Sequence, residues 1–393
     1  MPFSETRAVR ASGTATTLVP VAAAFVVFGV FIGAWDVAAA DIERTLGVSH
    51  GVFGLLLSAG LAGGGLVNAV GGAVAERHGT GRVLGASLAL WSALVLAAAA
   101  THDRFAFAAL IVVSFTVGGL VDLVMNVAAT AALADRPGAL VRFHALFNAG
   151  GAFGGLVAGV MIANQVSYRW AWAATGVLGL AIAAISWRAP LPAGGAGEDA
   201  PLGGTIRLLR DEHLLLVASA FAVGAMVEGG VALWGVLFLR THLASGLGVA
   251  VTSAVAAYSI AALARVFIGP VAGRRSAAHG VAVGAGAAAV GVLVLALASG
   301  SWLPAFGLVV AAAGVSMCWP LLMAHAGAGR ERPGAIVGGL AAFGYVGLFA
   351  GPTIVGWVAA AAGLKTGLLL LSVAAVYVAI APNVHRDRRP VAP

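Results

Sequence analysis

The chain has 393 residues, of which 61% are apolar and only 9% are charged, and its mean hydropathy is +1.00. A soluble domain of this length needs far more polar side chains to cover its surface, so the composition excludes a soluble globule and predicts an integral membrane protein. The formal net charge of +7 does not indicate nucleic-acid binding, because the basic residues are scattered between apolar runs rather than clustered.

Twelve apolar runs, each long enough to cross a bilayer, follow one another along the chain. A membrane-crossing helix needs about 20 mostly apolar residues, whereas the strands of a membrane barrel alternate apolar and polar residues. The runs are continuously apolar, so they predict twelve helices and an all-α membrane protein. They lie near residues 17–40, 51–75, 83–101, 105–134, 139–165, 170–187, 213–239, 247–272, 277–299, 301–327, 334–362 and 366–384.

The charges between the runs predict the orientation of the chain in the membrane. If the N-terminus is cytoplasmic, the cytoplasmic segments hold 16 Arg residues and the opposite segments hold five Arg and Lys residues. Cytoplasmic loops of membrane proteins carry an excess of Lys and Arg, so both termini are expected in the cytoplasm. The first apolar run is longer than the core of a cleavable signal peptide, and we expect it to be retained as the first span.

Short strings recur at a nearly constant offset and indicate a duplication. GAVAERHG from Gly72 matches GPVAGRRS from Gly269 at an offset of 197, and RPGALV matches RPGAIV at an offset of 196. The glycine series beginning at Gly150 recurs from Gly347, again at 197. A polar stretch rich in Pro and Gly follows the sixth run and is typical of a linker. We therefore expect a six-helix bundle over 1–188, a cytoplasmic linker over 189–212 and a second six-helix bundle over 213–393.

The loop after the second run resembles the signature GxxxDRxGRR of the major facilitator superfamily. It reads GAVAERHGTGR, with Gly72, Arg77 and Gly79 at matching positions, Glu76 in place of the usual Asp, and Arg82 one position beyond the final Arg of the signature. The resemblance covers the whole chain, and it implies two six-helix pseudo-repeats around a central pore, the architecture of a large class of secondary transporters.

A narrower resemblance is to the fucose-permease-like branch of that superfamily, which includes many bacterial proteins. The segments that carry it are WDVAAADI in the first span, VDLVMN in the fourth, FHALFNAGGAFGG in the fifth and EGGVALW in the seventh. In fucose permease, acidic residues of the first and fourth spans carry protons, and the matching residues here are Asp36 and Asp122. The resemblance implies proton-coupled transport across a bacterial inner membrane, but it does not imply a sugar substrate.

Three acidic residues lie inside the apolar runs: Asp36, Asp122 and Glu228. Charged groups are costly within a bilayer, so we expect each of them to face the interior of the bundle. Burial favours the neutral form of a carboxyl group, so such a group can take up a proton on one side and release it on the other. Asn126 follows Asp122 by four residues on the same helix face and can bond either the carboxylate or a hydroxylated solute.

Four residues are candidates for contact with a solute: Trp35, Asn126, Asn148 and Trp234. The two tryptophans flank the acids and could stack on a ring, although packing is the commoner role of a buried Trp. Asn148 shares a helix face with His144. No cluster has the spacing of metal ligands, and we expect no metal and no cofactor.

The repeat also predicts two ion pairs on the cytoplasmic face. The offset maps Arg77 onto Arg274 and Asp135 onto Glu331. We expect Arg77 with Asp135, and Arg274 with Glu331, to form a latch in an outward-open state that loosens when the cytoplasmic side opens. Glu76 would meet the positive N-terminal end of the eleventh span. The alternative is that these charges lie in water and serve only topology.

Other classes of function have less support in the sequence. The only lysine, Lys365, lies in AAAGLKTG, which is not a Walker motif, so ATP does not drive transport through this chain. The sequence shows no nucleophile paired with a base, which an enzyme would need. A receptor or scaffold with a transporter fold is a further alternative. Within transport, proton-coupled symport of a small polar solute competes with export of a drug or metabolite. We expect a monomer in the bilayer, with protons and a small molecule as its partners.

Overall fold

The computed structural model describes residues 3–133, 137–192, 202–243, 245–267, 277–327 and 333–386, and its regular secondary structure in these ranges is α-helical. In chain order the helices are α1 (Phe3–Leu46), α2 (His50–His78), α3 (Thr80–Ala100), α4 (Arg104–Ala132), α5 (Pro137–Ala163), α6 (Arg169–Arg188), α7 (Leu202–Asp211), α8 (Leu215–Thr241), α9 (Gly246–Phe267), α10 (Ala277–Leu297), α11 (Trp302–Val315), α12 (Cys318–Gly327), α13 (Pro333–Ala362) and α14 (Leu364–Arg386).

The hydropathy pattern predicted the membrane crossings, and the described residues contain twelve stretches of helix that are long and apolar enough to cross a bilayer. The tenth crossing differs from the expected single helix, because it consists of α11 and α12 with a turn between them. The short helix α7 lies within the segment expected to be the linker. We call the side on which α1 begins and α14 ends the terminal face. The other side, where α1 connects to α2, is the opposite face.

The recurring glycines lie at equivalent interfaces in the two halves. A Cβ atom at Gly154 of α5 would lie 1.9 Å from the carbonyl oxygen of Val30 in α1. A Cβ atom at Gly347 of α13 would lie 1.8 Å from the carbonyl oxygen of Ala222 in α8. Small residues permit such close approach between membrane helices. The fifth span therefore packs on the first as the eleventh packs on the seventh, which is the arrangement that a duplication predicts.

The two halves meet mainly along two pairs of helices, α2 with α13 and α5 with α9, and α1 also contacts α8 and α9. Their closest approaches also depend on glycine. A Cβ atom at Gly54 would lie 2.3 Å from the carbonyl oxygen of Pro352, and one at Gly159 would lie 2.4 Å from the methyl groups of Val251. Gly54 and Gly159 each lie four residues from the opposite-face end of their helix, so the halves are closely packed near that face.

Candidate functional site

Asp36 lies within α1 at the contact between the two halves. Its residue is only 4% exposed. The hydroxyl of Tyr258 in α9 donates a hydrogen bond of 2.5 Å to Asp36 Oδ2. Because α1 belongs to the first six spans and α9 to the last six, this hydrogen bond joins the two halves of the protein.

Asp122 has an analogous arrangement in α4. The Asn126 amide nitrogen donates to Asp122 Oδ1 at 3.0 Å and to the Asp122 backbone carbonyl at 2.8 Å, so the spacing of four residues does produce a contact within the helix. The hydroxyl of Tyr345 in α13 donates to the other carboxylate oxygen, Oδ2. A tyrosine from the second half therefore bonds this acid as well.

Glu228 in α8 differs from the two aspartates because its partner is a cation. Arg265 Nη2 of α9 lies 2.6 Å from Glu228 Oε1, and the side chains of Arg265 and Glu228 are 12% and 31% exposed. Arg265 Nε also donates to the Ser316 carbonyl at 3.4 Å. That carbonyl lies in the turn between α11 and α12, where Pro320 has no N–H to donate to it four residues later. The break in the tenth crossing thus supplies an acceptor to the arginine.

A cavity lies beside this ion pair. Its walls come from α5, α8, α9 and α11, and its polar lining consists of Asn148, Glu228, Tyr258 and Ser316. Asn148 is 4% exposed, and its amide nitrogen has no hydrogen-bond partner among the described residues. A buried hydrogen-bond donor without a partner costs free energy, so this amide group can gain a hydrogen bond from an acceptor that enters the cavity.

Of the candidate site residues, Glu228 and Asn148 line this cavity. Asp36 is adjacent to it through Tyr258, whereas Asp122 and Asn126 are not part of its wall. Both aspartates accept hydrogen bonds from tyrosines of the other half.

The two tryptophans lie in aromatic contacts rather than in the wall of this cavity. The Trp35 ring stacks on Phe53 and on Trp172, with centroid distances of 5.8 and 5.6 Å. Trp234 is completely buried and makes edge contacts with the rings of His50 and Phe53. These contacts match the packing role that was the alternative for each.

Two acid–base contacts lie near the opposite face. Arg240 at the end of α8 bonds Asp41 Oδ2 of α1 at 2.6 Å and the Val37 carbonyl at 2.7 Å, with only 10% of its side chain exposed. His50 Nδ1 of α2 lies 2.8 Å from Glu43 Oε1. The Arg240 pair joins the two halves, and sequence reasoning had counted this arginine only as a topology charge.

The expected latch on the terminal face falls largely outside the described residues. Asp135, Arg274 and Glu331 lie beyond them, and Gly72 and Glu76 lie within α2. Arg77 and Arg82 are exposed near the end of α2 and the start of α3. The latch stays a prediction from the sequence.

Sequence reasoning missed the two tyrosines that bond the aspartates. The chain has only four tyrosines. Two of them, Tyr258 and Tyr345, lie well inside apolar runs, and a phenolic hydroxyl there needs a partner. That need was a usable signal, but the partners are 222 and 223 residues away along the chain.

Comparison with known protein families identifies the family of this chain. The sequence profile of the Major Facilitator Superfamily matches residues 21–352. No curated protein sequence matches the chain. This chain belongs to the major facilitator superfamily, so the family predicted from the loop signature is confirmed. It is a multi-pass membrane transporter and not an enzyme.

Solved structures share its fold at low sequence identity. The nucleoside transporter NupG has a TM-score of 0.74 at 13% identity, covering 94% of this chain and 99% of that one. An occupied, inward-facing bacterial homolog of the human lysosomal transporter Spinster has a TM-score of 0.73 at 15% identity, covering 96% and 99%. The fucose:proton symporter FucP of E. coli has a TM-score of 0.62 at 16% identity, covering 94% and 99%.

Proposed function

We propose that this protein is a secondary transporter that couples the movement of protons to that of a small polar solute by alternating access. The observation that carries the proposal is the environment of Asp36 and Asp122. Each lies inside a membrane-crossing helix, and each receives hydrogen bonds from uncharged groups. Within the described part of the chain, neither has a cation at ion-pair distance. A carboxyl group in such a place can change its protonation state without leaving a buried cation unpaired.

The proposed orientation follows from the distribution of Arg and Lys. The excess of 16 over five on the side of the termini favours a cytoplasmic terminal face, in a bacterial inner membrane. The opposite face, which Asp41 and Arg240 hold closed, would then be the external one. The six-span bundles 1–188 and 213–393, joined by 189–212, would move against each other as units.

We assign the proton-carrying role to Asp36 and Asp122 and a different role to Glu228. Protonating Glu228 would leave Arg265 as a buried charge without its counter-ion, which is unfavourable. The pair therefore balances charge in the wall of the cavity. It still contributes to coupling if a solute group replaces one of its partners.

We place the solute beside Asn148, Glu228 and Ser316. The unpaired amide nitrogen of Asn148 offers a donor, the Glu228 carboxylate offers an acceptor, and the rest of the wall is small and apolar. Since Glu228 and Arg265 cancel each other's charge, this wall suits a neutral solute with hydroxyl or amide groups. Fucose for FucP and nucleosides for NupG are solutes of that chemistry. Asn126 stays a secondary candidate, since its amide is engaged by Asp122.

Transport assays in proteoliposomes test the proposal. Sugars, nucleosides and small organic anions are offered under an imposed proton gradient, with a pH indicator inside the vesicles. We expect one neutral class to accumulate together with protons, and Asn148→Ala to weaken its apparent affinity. If the solute flux is the same with and without the proton gradient, the protein is a facilitator and the coupling proposal is wrong.

The same assay separates symport from export, which both remain consistent with a proton carrier. One observation favours the exporter: GLFAGPTIVG, with Pro352 inside α13, resembles the GxxxGP motif that exporters carry in their fifth span. In vesicles of known orientation, symport moves solute and protons in the same direction. Proton influx that drives solute efflux would establish export instead.

A further inference from the structure

The two aspartates lie at mirror-related depths in the membrane. Asp36 is ten residues before the opposite-face end of α1, and Asp122 is ten residues before the terminal-face end of α4. At 1.5 Å per residue, each carboxyl lies about 15 Å from its nearer face. Both helices contain a 29-residue crossing, so one aspartate lies on each side of the midplane.

Each aspartate accepts a hydrogen bond from the half that it does not belong to. Tyr258 of α9 donates to Asp36, and Tyr345 of α13 donates to Asp122. The helices that supply the tyrosines are the ones that make the most extensive contacts between the halves, α9 against α5 and α13 against α2. Any movement that separates the halves at one depth must lengthen the tyrosine bond at that depth.

A hydrogen bond to an ionised carboxylate is roughly twice as strong as one between neutral groups. Protonation of either aspartate therefore weakens its bond to the tyrosine and loosens the contact between halves at that depth. Conversely, opening a face pulls the tyrosine away and exposes the nearer aspartate to the protons of that side.

We propose that Tyr258 and Tyr345 are positioning residues that couple the protonation of Asp36 and Asp122 to the opening of the opposite and terminal faces, respectively. This inference rests on the proposed proton-carrier function. It assigns one gate to each tyrosine, so the two hydroxyls have separable effects.

Other ionisable groups near these pairs are few among the described residues. The helices packed around Asp36 contribute Tyr258 and Arg265 from α9, Glu228 and Arg240 from α8, Arg104 and Asp122 from α4, and His144 and Arg142 from α5, while α6 has only Arg169 and Arg188 at its ends. Around Asp122, α13 contributes Tyr345, and α1 contributes Asp36, Asp41, Glu43 and Arg44. The neighbouring α2 and α3 carry ionisable side chains only near their ends: His50, Glu76, Arg77, His78 and Arg82.

The test measures the separation of the halves as a function of pH and needs no solute. Spin labels are placed on paired cysteines in a Cys318→Ala background, which removes the only native thiol. Exposed positions Arg188 and His279 report on the terminal face, and exposed positions His102 and Leu303 report on the opposite face. Distances between the labels are measured in lipid nanodiscs at alkaline and mildly acidic pH.

Tyr→Phe changes remove only the hydroxyl. We expect Tyr345→Phe to lose the pH response of the terminal-face distance, and Tyr258→Phe to lose that of the opposite-face distance. Tyr377→Phe is the matched control, because its hydroxyl bonds Ser219 within the second half at 2.6 Å. That variant should respond as the wild type does.

The outcomes separate this inference from the function on which it rests. If Asp36→Asn and Asp122→Asn lose the pH response while both phenylalanine variants keep it, the coupling role of the tyrosines is wrong. If the asparagine variants also keep it, the proton-carrier function itself is wrong. Should a phenylalanine variant fail to fold, Tyr258→Gln or Tyr345→Gln keeps a hydrogen-bond donor there and is expected to retain the pH response, and loss of that response would contradict the inference.

Discussion

The acids within the membrane-crossing helices of the two halves have opposite kinds of partner. In the first half, Asp36 and Asp122 are hydrogen-bonded by neutral tyrosine and amide groups, whereas Glu228 in the second half is ion-paired with Arg265. An acid–tyrosine pair contains no cation, so a change in the protonation of the acid leaves no positive charge unpaired. In an acid–arginine pair, loss of either charge leaves the other one unpaired in a poorly solvated place.

The sequence analysis expects all three acids to carry protons, whereas these partners favour that role only for Asp36 and Asp122. A mobile proton requires an acid whose neutral and ionised forms are both tolerated, and a binding wall requires fixed, balanced charge. In the proposed function, the first half therefore supplies the proton carriers, and the second half supplies a charge-balanced wall for the solute.

The largest expected effect comes from breaking the charge balance in the second half. Arg265→Met leaves Glu228 without its counter-ion, and we expect a loss of about 3 kcal/mol in unfolding free energy. That is the low end of the roughly 3–5 kcal/mol for fully buried pairs, because the Glu228 side chain is 31% exposed. Thermal unfolding in detergent measures it. The double change Arg265→Met with Glu228→Gln removes both charges and should recover most of the loss, whereas no recovery would contradict the charge-balance role.

Removing the titratable groups of the first half should abolish the driving force. One proton moving through 100 mV supplies about 2.3 kcal/mol, which sustains roughly 50-fold accumulation. We expect Asp36→Asn and Asp122→Asn each to bring the accumulation ratio to about one while exchange of labelled for unlabelled solute continues. Undiminished uphill transport in both variants would exclude them as proton carriers.

The ion pair on the opposite face provides a smaller and independent effect. Arg240→Gln removes the bond to Asp41 between the halves, so the opposite face should open more often, by about 1–2 kcal/mol or some five- to thirtyfold. The labelling rate of Val236→Cys, in the cavity wall, by an impermeant thiol reagent added from that side measures the opening. Arg104→Gln removes an arginine from the same face that has no ion pair among the described residues, and it should leave the rate unchanged. Equal rates in Arg240→Gln and the wild type would contradict the gating role.

The smallest expected effect concerns the terminal face, where the latch is a prediction from the sequence alone. Surface ion pairs contribute about 0.2–1 kcal/mol, so Arg77→Asp or Asp135→Arg should slow transport only a fewfold. The double reversal should restore most of the rate. Impairment in both single variants without restoration in the double variant would show that these residues do not form a pair.

Much of the fold could be predicted from the sequence, because backbone groups in a bilayer must be satisfied within each helix and hydropathy then marks every crossing. The glycine series beginning at Gly150 and Gly347 predicted equivalent packing for a similar reason, since close helix contacts require small residues. The contact of Asn126 with Asp122 followed from the periodicity of a single helix.

The partners of the acids could not be predicted in the same way. Tyr258 and Tyr345 lie more than 200 residues from the aspartates that they bond, so only the assembled bundle brings them together. The choice of Arg265 as the partner of Glu228 depends on how α8 and α9 rotate against each other. The hydropathy pattern and the composition predict the depth of a polar group in the membrane. They do not predict which neighbouring residue it bonds.

The most direct test of the central claim is the infrared spectrum of the carboxyl groups in the bilayer, recorded while the pH is lowered from alkaline to mildly acidic values. The account predicts a carbonyl band of protonated carboxyl groups that grows as the pH falls. Part of this band should disappear in Asp36→Asn, another part should disappear in Asp122→Asn, and the whole band should persist in Glu228→Gln. A band that both aspartate variants retain and Glu228→Gln removes would contradict the account.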